Sequence, residues 1–362
     1  MRAPIEDVRV HAFRVPTDEP EQDGTLSWDS TTLVVVEMSA GGKQGIGYTY
    51  ASAAAGRVID DLLVDPLKQG DAFDIPGIWS ALVRAVRNAG RPGIASCAIS
   101  CVDGALWDLK AKLIGLSLAR LLGAARSDVP IYGSGGFTSY TDGRLAEQLS
   151  GWVANEGCTC VKMKIGRDMM RDRERIAVAR RAIGEAELYV DANGAFTVKQ
   201  ALAFAEQCRG DGITWFEEPV SSDDLVGLKL VRGRVPGGMK VAAGEYGYDD
   251  RYFLQMLSTE AVDVLQADAT RCGGITGFLK AATLADAHGL PLSAHTAPAL
   301  HVHVAAAAPR LMNVEWFHDH VRIERMLFDG APVPRQGTIR PDLDRPGLGL
   351  TLKRQDAQRF AI

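Results

Sequence analysis

The sequence predicts an α/β barrel of the (β/α)8 type, preceded by a smaller α+β domain. Eight short apolar runs recur at intervals of about one βα unit, and amphipathic helical patterns separate them. Seven of the runs end in polar or charged side chains, at the strand end where such barrels carry their catalytic groups. The runs cover residues 129–133, 160–164, 188–193, 213–217, 240–245, 262–268, 291–295 and 312–315.

The most informative run ends in the acidic pair Glu217 and Glu218. Residues 213–216 are typical of a buried strand, and Pro219 ends its pairing. A buried strand should not finish in two acids unless a metal ion, an ion pair or water at an exposed edge compensates the charge. Because strand side chains alternate faces, we expect Glu217 to face the barrel mouth and Glu218 to point away from it.

The first part of the chain predicts a three-stranded meander with helices. Strands are expected at residues 5–15, 32–38 and 45–50, with a polar loop at 17–27, and helices at 57–68, 75–88 and 94–113. The expected division is an α+β capping domain at 1–125, a barrel at 126–327, and a tail at 328–362 that returns to the capping domain.

Composition narrows the class of protein. The 362 residues carry a net charge of −5 with 46% apolar residues, which argues for a soluble protein and against a nucleic-acid partner. No run is long enough to span a bilayer, and the first residues lack the apolar segment of an export signal. The six cysteines form no paired CxxC pattern, which favours reduced thiols in the cytoplasm.

Three carboxylates from consecutive strands predict a metal site. Asp191, Glu217 and Glu245 should meet at one rim of the barrel, where uncompensated charges would raise one another's pKa. A hard divalent cation resolves this repulsion, and Mg²⁺, with water and substrate completing its octahedron, fits the oxygen ligands best.

Candidate bases stand on either side of this metal site. Lys164 precedes the three acids along the chain and His295 follows them, with Asp268 placed to fix the histidine's tautomer. Lys162 is suited to hold a substrate carboxylate oxygen, and a protonated Glu315 could donate to the same oxygen. This combination favours removal of a proton α to a carboxylate, giving an ene-diolate that a cation and a lysine stabilise.

These motifs resemble the mandelate racemase subgroup of the enolase superfamily. The resemblance implies a modified TIM barrel, (β/α)7β, with an N-terminal α+β capping domain completed by the C-terminal tail. It also implies Lys164 and His295 as bases, Mg²⁺ on the three carboxylates, a small carboxylate substrate and a homo-oligomer. The residues that carry it are Lys162-Met163-Lys164, Asp191-Ala192-Asn193, Glu217-Glu218-Pro219, Gly244-Glu245, Asp268 with Gly273-Gly274, Ser293-Ala294-His295 and Glu315-Trp316-Phe317.

Two reactions and one remote alternative stay open. The first is dehydration of a sugar acid to a 2-keto-3-deoxy acid, and the second is racemisation or epimerisation of a 2-hydroxy acid, because the same residues serve both. The remote alternative is a metal-binding barrel without catalysis, or an amidohydrolase that uses the histidine pairs at 301/303 and 318/320. The pair at 301/303 is better explained as helix surface and packing, and the pair at 318/320 is expected in a loop after the last strand.

Several further residues are candidates for substrate contact. Tyr140 lies just after the first barrel strand, and the resemblance places capping loops over the substrate. Each of these side chains could instead serve only in packing. The candidates are Asn193, Trp28, Tyr50, Tyr140 and His318.

Overall fold

The computed structural model describes residues 2–362, and eight of its strands close into one parallel barrel. Each barrel strand pairs with the next along the chain, and the last pairs with the first through Val314 and Ile131. The strands are β1 Asp7–Gln22, β2 Ser27–Ala40, β3 Lys43–Tyr50, β4 Val129–Gly135, β5 Cys160–Lys164, β6 Glu187–Asp191, β7 Ile213–Glu217, β8 Lys240–Ala243, β9 Val264–Ala267, β10 Leu292–Ala294, β11 Leu311–Phe317, β12 Phe328–Asp329, β13 Thr338–Ile339 and β14 Thr351–Leu352.

Seven helices, α6 to α12, connect the eight barrel strands β4 to β11, which confirms the (β/α)7β prediction. A further helix, α13, follows β11 before the tail begins, and a π-helical stretch at Ile59–Leu63 joins α1 to α2. The helices are α1 Ala54–Val58, α2 Val64–Lys68, α3 Ile75–Ala85, α4 Ile94–Leu113, α5 Leu118–Leu122, α6 Asp142–Glu156, α7 Met169–Ile183, α8 Val198–Gln207, α9 Leu225–Arg232, α10 Asp250–Ser258, α11 Gly274–Ala287, α12 Pro298–Ala307, α13 His318–Leu327 and α14 Arg354–Ala357.

Several functional side chains lie just beyond their strands rather than on them. Strand β8 ends at Ala243, and Gly244 then adopts a φ of 134° that side-chain-bearing residues rarely adopt. A Cβ on Gly244 would lie 2.1 Å from the carbonyl oxygen of Gln266, so only glycine lets β8 and β9 approach this closely. Glu245 therefore leaves the sheet at the mouth instead of continuing the strand.

An aromatic layer fills the barrel beneath its mouth. Tyr132, Tyr189 and Trp215 are buried there together, and the rings of Tyr189 and Trp215 stack with centroids 4.8 Å apart. The indole Nε1 of Trp215 donates to Oε2 of Glu217 at 2.8 Å. The barrel is therefore a packed core whose top layer holds a carboxylate in place.

The polar segment at 17–27 is not a loop, so that expectation is wrong. Strand β1 continues to Gln22 and pairs again with β2 after an irregularity between Pro16 and Glu21. Residues 23–26 alone form the tip of this long hairpin. Cross-strand pairing outweighed the polar composition, because an antiparallel hairpin needs only one buried face.

Helix α4 and the tail connect the capping domain to the barrel. Helix α4 packs against β3 and α11, and Asp103 in α4 accepts hydrogen bonds from the backbone N–H and hydroxyl of Thr276. In the tail, Ile362 N donates to Ala12 O at 3.0 Å, and β13 pairs with β4 of the barrel. The tail thus contacts both domains, and the boundaries at 125 and 327 stay predictions.

Two further observations concern the whole described chain. All six cysteines are free. Between residues 2 and 362, no helix combines the length and the apolar character that crossing a bilayer would require.

Candidate active site

The three predicted metal ligands converge at the barrel mouth. Asp191 ends β6, Glu217 ends β7, and Glu245 follows β8. One oxygen from each lies within 4.8 Å of the others, and the three side chains are at most 4% exposed. Asp191 and Glu217 are paired in the parallel register of β6 and β7, which fixes their spacing.

This carboxylate cluster fits a hard divalent cation. Burial, followed by the charge of Asp191, raises the pKa of Glu217 to about 8. Within residues 2–362, Oε2 of Glu245 is shielded from solvent and accepts no hydrogen bond, although Nε2 of His295 lies 3.2 Å away as an ion-pair neighbour. Converging oxygen donors with unsatisfied lone pairs are what Mg²⁺ takes in proteins. Asp191, Glu217 and Glu245 would hold it.

The two lysines of β5 lie against these acids on one face of the strand. Lys162 Nζ is 2.5 Å from Oε1 of Glu217 and 2.8 Å from Oε1 of Glu315, and its side chain is fully buried. Lys164 Nζ is 2.5 Å from Oδ2 of Asp191 and reaches the cavity above. Burial disfavours the ammonium form of Lys164, but Asp191 outweighs burial and raises its pKa.

On the other side of the cluster stands a histidine–aspartate pair. Nδ1 of His295 is 2.8 Å from Oδ2 of Asp268, and its Nε2 is 3.2 Å from Oε2 of Glu245. Asp268 is itself held, because its Oδ1 accepts from the backbone and the hydroxyl of Thr270, both at 2.7 Å. Burial opposes the charged imidazolium, but Glu245 and Glu315 raise the pKa of His295 to about 10.

Glu315 also lies in the site. Ser134 Oγ donates to its Oε1 at 2.6 Å, and Thr296 N donates to its Oε2 at 3.2 Å. Although burial raises its pKa, Lys162 and His295 together lower it to about 2. Lys162 and His295 therefore favour the carboxylate form of Glu315 in this arrangement, and donation by a protonated Glu315 to the substrate stays a prediction.

Glu218 lies where strand β7 has ended. Its φ of 36° ends the extended conformation, so the side chain does not continue the alternation of β7. The residue is 1% exposed, and burial, then Glu245 and Asp191, raise its pKa. Glu218 is therefore buried in the electrostatic field of the carboxylate cluster, but it does not line the cavity, and its expected orientation away from the mouth stays a prediction.

Most of the predicted site residues share one cavity of about 350 Å³. The barrel contributes Lys164, Asn193, Glu245, His295 and Glu315, and the capping domain contributes Trp28 and Tyr50. Trp28 is positioned by its indole Nε1, which donates to Oε2 of Glu21 at 2.7 Å. The ring of Tyr50 stacks on His320 with centroids 3.4 Å apart, so its main contact is packing.

The structure places Tyr140 and His318 outside this cavity. Tyr140 packs edge-on against Phe137 at 5.3 Å, and the guanidinium of Arg144 lies over its ring. His318 is the first residue of α13 rather than part of a loop, and its Nε2 is 2.9 Å from Oδ2 of Asp18. The helix turns His318 toward the outer side of the hairpin, so its expected substrate contact has no support.

Among the barrel residues around the same cavity, sequence reasoning missed Arg271, Tyr246 and Thr296, whereas His320 belongs to the histidine pair whose role the sequence left open. Arg271 Nη1 lies 3.2 Å from Oε1 of Glu245, its Nε lies 3.5 Å from Oδ2 of Asp268, and its guanidinium covers the ring of Tyr246. One signal was present in the sequence, since Arg271 follows Asp268 by three residues in a strand-to-helix loop.

The histidine pair at 301 and 303 is structural, as expected, but it is buried rather than on the helix surface. His301 Nε2 accepts from Ala269 N at 2.8 Å, and its Nδ1 is 2.7 Å from the carbonyl oxygen of Thr296. His303 Nε2 is 3.1 Å from Leu348 O. His301 thus connects the loops that follow Asp268 and His295, and these hydrogen bonds explain the histidine pair without a metal site.

The barrel is capped, and its mouth holds three carboxylates between a lysine and a histidine–aspartate pair. This arrangement defines a class of metal-dependent enzymes that act on carboxylic acids. The family models agree with this geometry. Residues 144–357 match the enolase C-terminal domain-like family, and residues 5–123 match the mandelate racemase / muconate lactonizing enzyme N-terminal domain. The chain belongs to the enolase superfamily, in its mandelate racemase / muconate lactonizing enzyme branch, as the sequence motifs predicted.

Three similar proteins illustrate the branch. A mandelate racemase/muconate lactonizing enzyme-like protein from Rubrobacter xylanophilus is 51% identical with a TM-score of 0.97, over 99% of this chain and 100% of that one. A racemase from Streptomyces coelicolor A3(2) with bound magnesium is 31% identical with a TM-score of 0.93, over 99% and 100%.

The third is the L-talarate/galactarate dehydratase of Salmonella typhimurium LT2. It is 34% identical over 97% of this chain and 89% of its own length. A structure of a variant of that enzyme liganded with Mg and L-glucarate has a TM-score of 0.90 at 31% identity, over 100% of this chain and 92% of that one. Magnesium-bound relatives agree with the oxygen-ligand cluster found here.

Proposed function

We propose that this protein is a Mg²⁺-dependent dehydratase that converts a sugar acid into a 2-keto-3-deoxy acid. The observation that carries the proposal is the cavity with Lys164 on one side, the His295–Asp268 pair on the other, and the three carboxylates between them. The similarity to a talarate/galactarate dehydratase supports a sugar acid as substrate.

The chain's own residues account for each proton in this reaction. Bound Mg²⁺ supplies positive charge that stabilises negative charge developing on the substrate oxygens. Lys164 or His295, in its neutral form, takes the proton from the α-carbon, and Lys162, buried next to the cluster, holds a carboxylate oxygen of the ene-diolate. His295 then gives a proton to the departing β-hydroxyl, which leaves as water, and the enol product tautomerises to the keto acid.

Racemisation or epimerisation of a 2-hydroxy acid is the second candidate. Transfer of one proton across a carbon needs a base on each face, and Lys164 and His295 supply both. The similarity to a magnesium-bound racemase favours it.

A cytoplasmic location and a symmetric homo-oligomer, both expected from the sequence, stay predictions.

Proton NMR in D₂O with Mg²⁺ and a panel of sugar acids and 2-hydroxy acids tests the proposal. We expect loss of the β-hydroxyl and appearance of a keto acid, with both changes abolished by EDTA and restored by Mg²⁺. Deuterium entering the α-position with both epimers appearing, and without elimination, would instead establish the racemase. Failure of every acid in the panel to exchange or eliminate would contradict both candidates.

A further inference from the structure

The side of the cavity formed by the capping domain differs in charge from its base, which the barrel forms. At the base, the cationic side chains are paired with barrel acids: Lys164 with Asp191, Arg271 with Glu245, and His295 with Asp268. Among residues 2–362, the capping-domain side of the cavity carries no lysine, arginine or histidine. Its hydroxyl side chains are Ser30, Thr31, Thr32, Ser52 and Tyr50, and its one carboxylate is Asp23.

Asp23 is the charged group of this wall, and only one of its oxygens is used by the fold. Its Oδ1 accepts from the backbone N–H groups of Thr25 and Leu26, both at 2.6 Å, and from the hydroxyl of Thr25 at 3.2 Å. Within the described residues, no hydrogen bond reaches Oδ2, and this oxygen is not among the solvent-shielded atoms that lack a partner. Since Asp23 lines the cavity, Oδ2 is the oxygen available to a ligand.

The hairpin tip that carries Asp23 is firmly seated on the barrel. A Cβ on Gly24 would lie 2.3 Å from Ala192 O and 2.7 Å from Ile165 O, so the tip rests against the residues that follow Asp191 and Lys164. Thr138 N donates to Gln22 O at 2.8 Å, which ties the hairpin to the loop after β4. Asp23 is therefore held over the Lys164 side of the mouth.

The arginine at the tip, Arg167, forms no ion pair with the Asp23 carboxylate. Arg167 Nε donates to the carbonyl oxygen of Asp23 at 2.9 Å, and its Nη2 donates to Leu26 O at 2.8 Å. Arg167 therefore binds the tip's backbone, and it does not line the cavity.

We infer that the substrate is a polyhydroxy monocarboxylic acid, an aldonate, and that Asp23 selects it against the corresponding dicarboxylic acid. Oδ2 of Asp23 accepts hydrogen bonds from hydroxyls remote from the reacting carboxylate. A second carboxylate at that end would face Asp23 without a cation to pair with, and like charges so placed are strongly disfavoured. This inference rests on the proposed function and differs from the diacids that name the Salmonella relative.

The test compares matched pairs such as gluconate with glucarate, galactonate with galactarate, and arabinonate with arabinarate. For the Mg²⁺-loaded protein we expect kcat/KM for the preferred aldonate to exceed that of its matched diacid by about 100-fold or more. Binding of each acid, measured by titration calorimetry, should show the same order. Equal use or tighter binding of the diacid would overturn the inference.

Asp23→Asn separates the charge from the fold, because an amide oxygen can still accept the bonds from Thr25 and Leu26. We expect the ratio of aldonate to diacid kcat/KM to fall by roughly tenfold or more in this variant. Asp65→Asn removes the same charge from an exposed position on α2 and should leave the ratio unchanged. An unchanged ratio in Asp23→Asn would show that Asp23 only shapes the turn.

Turnover and binding together separate the two claims. If the protein binds aldonates preferentially but turns over no acid, the dehydratase proposal is contradicted and the selectivity is retained. If it forms keto acid from the diacid as readily as from the aldonate, the selectivity is contradicted and the dehydratase proposal is retained. No binding by any acid would overturn both.

Discussion

The barrel mouth and the capping-domain side of the cavity (the cap wall) face each other, but they differ in how their charged groups are paired. At the mouth, Lys162, Lys164 and His295 each lie against an acid, at distances from 2.5 to 2.8 Å. On the cap wall, Asp23 has an oxygen without a protein partner among residues 2–362. The barrel mouth thus positions charged groups for the proposed reaction, and the cap wall keeps a hydrogen-bond acceptor for a ligand. Reaction type and substrate choice can therefore change independently.

The largest expected effect comes from removing one metal ligand. Glu217→Gln should weaken Mg²⁺ binding by roughly 100-fold or more and abolish turnover, because two carboxylates with water hold this ion poorly. Titration calorimetry with Mg²⁺ measures the change. Glu187→Gln is the matched control, since Glu187 is exposed at the opposite end of the neighbouring strand β6. Unchanged affinity in Glu217→Gln would move the metal site elsewhere.

A smaller but selective effect is expected when the histidine loses its partner. Asp268→Asn should reduce turnover by about 10² to 10⁴, because the amide no longer fixes the tautomer of His295. It should also shift the pH profile, while Mg²⁺ affinity stays within a few-fold. Exchange measured in D₂O by NMR should be lost on the face that His295 serves.

Lys164→Ala is the complementary variant for this test. It should remove exchange of the substrate α-proton on the other face alone, because Lys164 lies across the carboxylate cluster from His295. Equal loss for both epimers of a substrate in either variant would argue against two independent bases.

The third prediction tests the contact between the hairpin tip and the barrel. Gly24→Ala would place a Cβ 2.3 Å from Ala192 O, so the tip must shift away from the mouth. We expect kcat/KM to fall by roughly 10- to 100-fold with little change in Mg²⁺ affinity, because small misplacements of substrate-positioning groups are costly. Gly77→Ala in α3, where an added Cβ meets nothing within 4 Å, is the control. A parallel loss of metal binding would show that the tip supports the barrel instead.

The mouth was predictable because its chemistry follows the strand repeat. A (β/α) unit brings each strand's carboxyl end to one rim, so Asp191, Glu217 and Glu245 were expected together, and one oxygen of each lies within 4.8 Å of the others. The alternation of side chains along β5 explains why Lys162 and Lys164 both reach the acids. At Glu218 a φ of 36° ends the strand, so alternation alone no longer fixes the direction of the side chain.

The cap wall was not predictable, because its contacts join segments far apart in the chain. Nothing local shows that Gly24 rests on Ile165 and Ala192, or that α13 carries His318 to Asp18. The polar residues at 17–22 suggested a loop, yet pairing with β2 made them a strand. Asp23 and Arg271 entered the site only once those segments had packed.

The sequence by itself therefore determined the barrel, the carboxylate cluster and the positions of the two proposed bases, because these depend on periodicities that repeat within single strands and helices. Tertiary structure decided which capping residues reach the cavity, which groups contact Glu315, and which oxygen of Asp23 is left unpaired. Those properties depend on burial and on neighbours that are distant along the chain, and only folding brings such groups together.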